Sequence, residues 1–342
     1  VLKNPKGGFV IAPVLPPPGR LLLCHPSPVL LSPQGVARRD PARKESESQA
    51  FSFEEIKTIG TEAKNVQVNG RFFVKTASAA QAAEVVMQVR KLLKLTPDAR
   101  VRALEYGLKE SFQTKTIQKR LDDFSARTRT MNLLANALFI YLFLLAPVVI
   151  YRFGLASIWV PLLAGLYVFT FSVAFIFRRV HLHFYPDLKN DRFTHVLINM
   201  FSPATTIRAG DVLSRSLLES FHPLAAVRVL GSEGAFRRAA IRAMVDLTYP
   251  LGSEPVVPGV DNALGKEVAN SHAGAEGAAI QMFLAKEGVA ANELLRPPEP
   301  ADSSSLSYCP RCQSQFRIKE GTCADCGGLK LVAFGAGAGL GR

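Results

Sequence analysis

The sequence predicts an α+β multi-domain membrane protein, on three observations. Two long runs without a charged residue lie back to back near the middle of the chain. Short strand-like segments precede them, and four closely spaced cysteines follow near the end. Composition agrees with this reading. Hydrophobic residues make up 48% of the 342, and mean hydropathy is +0.14 although Lys and Arg outnumber Asp and Glu by 41 to 28, a net charge of +13. That balance excludes a disordered or fibrous chain. The positive excess favours anionic partners, either nucleic acid or phospholipid headgroups.

Residues 1–96 read as a β domain closed by a helix. Phe9-Val10-Ile11, Leu21-Leu22-Leu23, Val29-Leu30-Leu31 and Val36-Ala37 are strand-like pieces separated by Pro, Gly and Ser. Val66-Gln67-Val68 and Arg71 to Lys75 flank Asn69-Gly70. Asn-Gly is the strongest short hairpin signal, because both turn positions need positive φ. Ser78 followed by Gln81 starts a helix in capping-box style. Ala82, Val85, Val86, Val89, Leu92 and Leu93 share one helical face. This order of elements, with the run VNGRFFVKTASAAQAAEVVMQVRKL, resembles the bacterial pleckstrin-homology-like (PH-like) β-barrel with its C-terminal helix. The resemblance implies a module that binds lipid, peptide or protein, without catalysis.

Residues 97–129 are expected to form one long amphipathic connector helix. Pro97 suits its first turn, and Val101, Leu104, Leu108, Phe112, Ile117, Leu121 and Phe124 recur on one face. Residues 130–178 are then a transmembrane helical hairpin. Met131 to Tyr151 (21 residues) and Gly154 to Phe177 (24 residues) contain no Asp, Glu, Lys, Arg or His. About 20 apolar helical residues cross a bilayer. Only Arg152 and Phe153 separate the runs, so the spans are antiparallel. Lys115, Lys119, Arg120, Arg127 and Arg129 precede them, and Arg178, Arg179, Lys189 and Arg192 follow. The positive-inside rule puts both flanks, and hence both termini, in the cytoplasm, with the hairpin in the inner (cytoplasmic) membrane. No secretory signal is apparent, so the first span is expected to target the chain.

Residues 179–250 read as a cytoplasmic helical region, with Phe236, Ala240, Ala243, Met244 and Leu247 on one helix face. Residues 251–305 read as a Pro- and Gly-rich linker carrying a short helix from Ala278 to Leu295. Residues 335–342 are a Gly/Ala tail.

Residues 306–334 carry the sharpest chemistry. Cys309-Pro-Arg-Cys312 and Cys323-Ala-Asp-Cys326 are two C-x2-C pairs ten residues apart. Four thiolates complete a tetrahedron around Zn²⁺, and Gly327 permits the tight turn after the second pair. YCPRCQSQFRIKEGTCADCGG resembles a zinc-ribbon module. All four positions are then filled by protein, so the Zn²⁺ is expected to be structural. The competing readings are two disulfides, a redox C-x-x-C or an iron–sulfur site; disulfides conflict with a cytoplasmic location, and a redox C-x-x-C lacks its βαβ surroundings.

A weaker cluster follows the second span: His181, His183, Asp187, Asp191 and His195. It offers metal-ligating side chains, but interfacial His and Asp beside basic anchors explain it as well. No catalytic motif is present, and no catalytic or cofactor-binding residue is assigned. The expected function is a membrane-anchored, non-catalytic adaptor or scaffold whose partners are the lipid bilayer and a protein. The alternatives are a membrane metalloenzyme using the His/Asp cluster and a membrane-tethered nucleic-acid-binding regulator. The second would draw on the ribbon and the basic helix around Arg237, and juxtamembrane placement of the charge makes nucleic acid the weaker partner.

Overall fold

The computed structural model describes residues 2–3, 9–11, 22–24, 27–38, 50–76, 78–185, 196–214, 217–248 and 263–334. Two antiparallel three-stranded meanders carry the N-terminal unit. The first comprises β4 (Val29–Leu31), β5 (Gly35–Arg38) and β6 (Ala50–Ser52). The second comprises β7 (Ile59–Glu62), β8 (Asn65–Val68) and β9 (Arg71–Lys75). Helix α1 (Ala79–Leu93) closes them. One core joins all three, with Val29 and Val36 from the first sheet, Val66, Val68 and Phe73 from the second, and Val85, Val89 and Leu92 from α1. The β8–β9 turn is the Asn-Gly pair, with φ of 53° and 75°. Ser78 caps α1 by accepting from the Gln81 N–H at 3.0 Å.

The two sheets are not joined by a hydrogen-bonded ladder, so no closed barrel is present among the described residues. The other face of the first sheet is covered as well. Leu30 and Ala37 pack with Val268, with Leu264 and Ala269 alongside, all from a later helix, Ala263–Lys286. A further sheet, β1 (Leu2–Lys3), β2 (Phe9–Ile11) and β3 (Leu22–Cys24), is separate from both. Its strands β3 and β2 lie beside two later helices, Ala209–Ser214 and Pro223–Leu230 respectively.

Helix α2 (Pro97–Ser111) and helix α3 (Thr114–Ile140) replace the single expected connector helix. The break falls where Phe112 turns inward. It is buried, stacked on His222 with centroids 4.2 Å apart, and close to Phe283. The His222 N–H donates to the Ser111 carbonyl at 3.0 Å, satisfying an end-of-helix acceptor.

From Thr114 the chain runs helically to Phe153. Helix α3 leads through a π-turn (Tyr141–Leu145) into α4 (Ala146–Phe153), and α5 (Leu155–Phe184) returns after Gly154 at φ 76°. The π-turn falls just before Pro147, whose ring clashes with the preceding turn and which donates no N–H. Ile117, Phe124, Met131 and Leu138 are buried at steps of seven along α3, with Thr128 and Ala135 between them. Thr170, Val173, Ala174, Phe177, Val180 and His181 face them from α5. This is an antiparallel seam of coiled-coil type. Nearer the tip, the Tyr141 hydroxyl crosses to the Leu162 carbonyl at 2.7 Å. Gly165 makes room, since a Cβ there would lie 2.8 Å from that hydroxyl. Both helices are long and apolar enough to cross a membrane, and only 11% and 22% of their most apolar stretches are buried.

The base of the hairpin is wrapped by short helices: α6 (Pro203–Ile207), α7 (Ala209–Ser214), α8 (Pro223–Leu230) and α9 (Glu233–Thr248). Phe124, Phe177, Leu213, Leu217, Leu224 and Phe236 share their core. Helix α10 (Ala263–Lys286) is longer than the expected short helix. It begins fifteen residues before Ala278, because Leu264, Val268 and Ala269 pack on the first sheet. Gly277 fits against Leu247 of α9. Helix α11 (Ala291–Leu294) then leads to the cysteine module.

Candidate metal centre

The cysteine module is built from very short strands. β10 (Ser307–Tyr308) pairs with β11 (Gln315–Phe316) and β14 (Val332–Ala333), while β12 (Thr322–Cys323) pairs with β13 (Leu329–Lys330). Each C-x2-C pair sits on a tight turn. In the first, the Gln313 N–H donates to the Cys309 carbonyl at 2.8 Å, with Gln313 at φ 60°. In the second, the Gly328 N–H donates to the Cys323 carbonyl at 3.0 Å, with Gly327 at φ 73°. Gly327 suits that left-handed position because a Cβ would be strained there.

The turns bring all four sulfurs within 4.8 Å of one another. Cys312 Sγ and Cys323 Sγ are 3.7 Å apart. A tetrahedron with metal–sulfur bonds of about 2.3 Å has edges of about 3.8 Å. A disulfide would require about 2.05 Å, and all four are free thiols. The residues therefore fit one metal ion. Cys309, Cys323 and Cys326 are buried and Cys312 is exposed. Burial works against a Cys312 thiolate, but the Ser314 hydroxyl at 3.3 Å and the Ser314 N–H outweigh it, holding this thiol at about 7. Burial pushes the Cys309 and Cys326 thiols up. A cation among them would offset that cost, as metal ligation requires deprotonated sulfur.

The module is docked through its first turn. Arg311 Nη2 donates to Asp246 Oδ2 of α9 at 2.8 Å, and Arg242 Nε lies 3.9 Å from the same oxygen. Leu329 packs against the helical core beside them. Sequence reading missed this contact. Arg311 and Asp246 are 65 residues apart, and nothing in either segment marks the pairing.

The His/Asp cluster is not assembled among the described residues. His181 is buried between Phe177 and Tyr185 in the hairpin base. His183 instead reaches across to Asp123 of α3, with Nε2 3.0 Å from Oδ2. Asp187, Asp191 and His195 lie outside the described residues. Among those that are described, the four cysteines form the one group able to hold a metal ion. On α9, Arg242 pairs with Asp246, while Arg237 and Arg238 are exposed. No family model, curated protein or solved structure matches the chain.

Proposed function

We propose that the chain is a membrane-anchored, non-catalytic adaptor. The α3–α5 hairpin anchors it in a bacterial cytoplasmic membrane with both termini inside. A PH-like N-terminal domain and a zinc ribbon are presented to a protein partner or to lipid. The observation that carries this reading is the donor set: four protein sulfurs lie within 4.8 Å of one another, enough to fill every corner of a tetrahedron and leave no position for a substrate. Zn²⁺ is the ion favoured by four thiolates at this spacing, and it supplies folding energy to a module too small for a core of its own.

The test is affinity purification of the full chain in detergent, with and without Cys309→Ser, Cys312→Ser, Cys323→Ser and Cys326→Ser together. The adaptor reading expects one zinc per wild-type chain and a co-purifying protein lost from the variant. Identical co-purification from both would remove the ribbon from the proposed role. Thiol labelling of either terminus from outside the cell would overturn the anchoring.

A further inference from the structure

A cleft of about 750 Å³ separates α1 from the base of the hairpin. Ala80, Glu84, Met87, Lys91 and Lys94 line one wall, recurring at helical spacing along a single stripe of α1. Arg120 of α3, Phe184 and Tyr185 at the end of α5, and Glu219 line the other. We propose that this cleft binds a phosphate-bearing ligand.

The charges support an anion. Arg90, Lys91, Lys94 and Arg120 converge on the cleft against two carboxylates, Glu84 and Glu219. Glu219 is already engaged, accepting from the Ser78 hydroxyl at 2.5 Å. Arg90 keeps further N–H groups free of its one bond, from Nη2 to the Ile59 carbonyl at 2.8 Å. Arg120 is the decisive residue. Its Nε is buried and has no hydrogen-bond partner among the described residues. Its guanidinium carbon rests 5.8 Å from the centre of the Phe221 ring. Arg120 as a whole is half-buried, so its guanidinium is reachable from the cleft, and a planar guanidinium matches phosphate oxygens in pairs, while a buried Nε without an acceptor costs free energy. A phosphate at Arg120 satisfies it, with Lys91 and Lys94 at the mouth.

Two sources share this chemistry. Arg120 lies eleven residues before Met131, about 16 Å along the helix. The headgroup layer on one side of a bilayer is about 5–8 Å deep. A soluble phosphate ester reaches the cleft from solution, whereas a lipid must project its headgroup or be drawn partly out, with Met87 and Phe184 beside its chains.

The test uses the full chain in a neutral detergent, so it does not depend on the anchoring argument. Calorimetric titrations with inorganic pyrophosphate and with dioctanoyl phosphatidic acid are run at matched ionic strength. Saturable one-site binding is expected, weakened at least about tenfold by Arg120→Gln and by Lys91→Gln with Lys94→Gln. Lys91 and Lys94 are exposed, so their variant folds even if Arg120→Gln does not. Arg237→Gln with Arg238→Gln removes equal charge from α9 and is expected to leave binding unchanged. Binding of pyrophosphate identifies a soluble phosphate as sufficient. Binding of phosphatidic acid alone identifies the headgroup of a lipid. Absence of saturable binding by both probes, or equal weakening by the two double variants, overturns the proposal.

Discussion

Arg311→Met separates the metal centre's own stability from its attachment to the helical region. The four sulfur ligands are untouched, so metal content is expected to stay at the wild-type level. What changes is the environment of Asp246. Burial pushes its carboxyl above the ordinary value, while Arg311 and then Arg242 pull it back down. Removing Arg311 takes away the larger opposing charge. The Arg311 side chain is 10% exposed and that of Asp246 37%. Breaking a fully buried pair costs about 3–5 kcal/mol. Water at the exposed edge of Asp246 reduces that to about 1–2 kcal/mol. The sign with pH follows from the raised carboxyl. A group whose folded pKa lies above its unfolded value contributes fully below the unfolded value, and that contribution disappears as pH rises through the folded one. The variant therefore loses most at neutral pH and recovers as Asp246 protonates. Hydrogen exchange over 307–334 and α9 reads the docking, from neutral pH downward for as long as the metal stays bound, with bound metal assayed at each point because acid releases it. Equal protection of wild type and variant at every pH, or a deficit that grows on acidification, would refute the reasoning.

Chelation of the metal, or Cys326→Ser, is expected to unfold 306–334 while α1 to α10 stay folded; loss of protection across the whole chain in hydrogen exchange would contradict that. Asn69→Ala is expected to destabilise the β unit by about 2 kcal/mol in denaturant unfolding. It removes three hydrogen bonds, from the Lys57 and Thr58 N–H groups to Asn69 Oδ1 and from Nδ2 to the Glu55 carbonyl, and leaves φ at 53°. At Asp123, desolvation raises the carboxyl, but the Arg127 and His183 hydrogen bonds outweigh it and hold it below the ordinary value. Its stabilising contribution is present above about pH 4 and is lost as pH falls through the folded value. Asp123→Asn therefore differs from wild type by less than about 1 kcal/mol at neutral pH and not at all in strong acid, as thermal melts across pH would report.

Legibility in the sequence followed the range of the interactions. The Asn69-Gly70 turn, the Ser78 cap and the two cysteine turns are decided by residues within five positions of one another, and each is read correctly from the chain. The uncharged runs are long enough to declare their own helices. The α2–α3 break escaped the periodicity, because Phe112 fits the apolar face of a continuous helix. Its inward turn depends on His222 and Phe283, more than a hundred residues away. Helix α10 escaped for the opposite reason. Its Gly and Ala residues read as linker, yet small side chains are what allow close approach to β4–β6 and α9. The convergence of the four cysteines was legible from spacing alone. Their docking residue, Arg311, lay inside the motif unnoticed, since its partner is on another helix.

The seam inside the hairpin changes character along its length. From Ile117 to Leu138 the α3 positions at steps of seven are sealed by α5 and the short helices. Between Arg129 on α3 and Arg178 on α5, apart from Arg152 at the tip, the outward positions carry Leu133, Phe143, Leu144, Val148, Trp159, Val160, Val168 and Phe175, all more than half exposed. Exposed apolar surface of this kind marks contact with a membrane or another protein. Within lipid, apolar side chains gain nothing by burying against each other, so packing of small residues and internal hydrogen bonds must hold the two rods together. Gly165 beneath Tyr141, and the Tyr141–Leu162 bond, are features of that kind at the apolar tip. In the base, where water surrounds the wrapping helices, large buried side chains take over. Large buried side chains thus lie towards the base, and the close Gly165 contact with its hydroxyl-to-carbonyl bond lies towards the apolar tip, as expected if lipid surrounds that end.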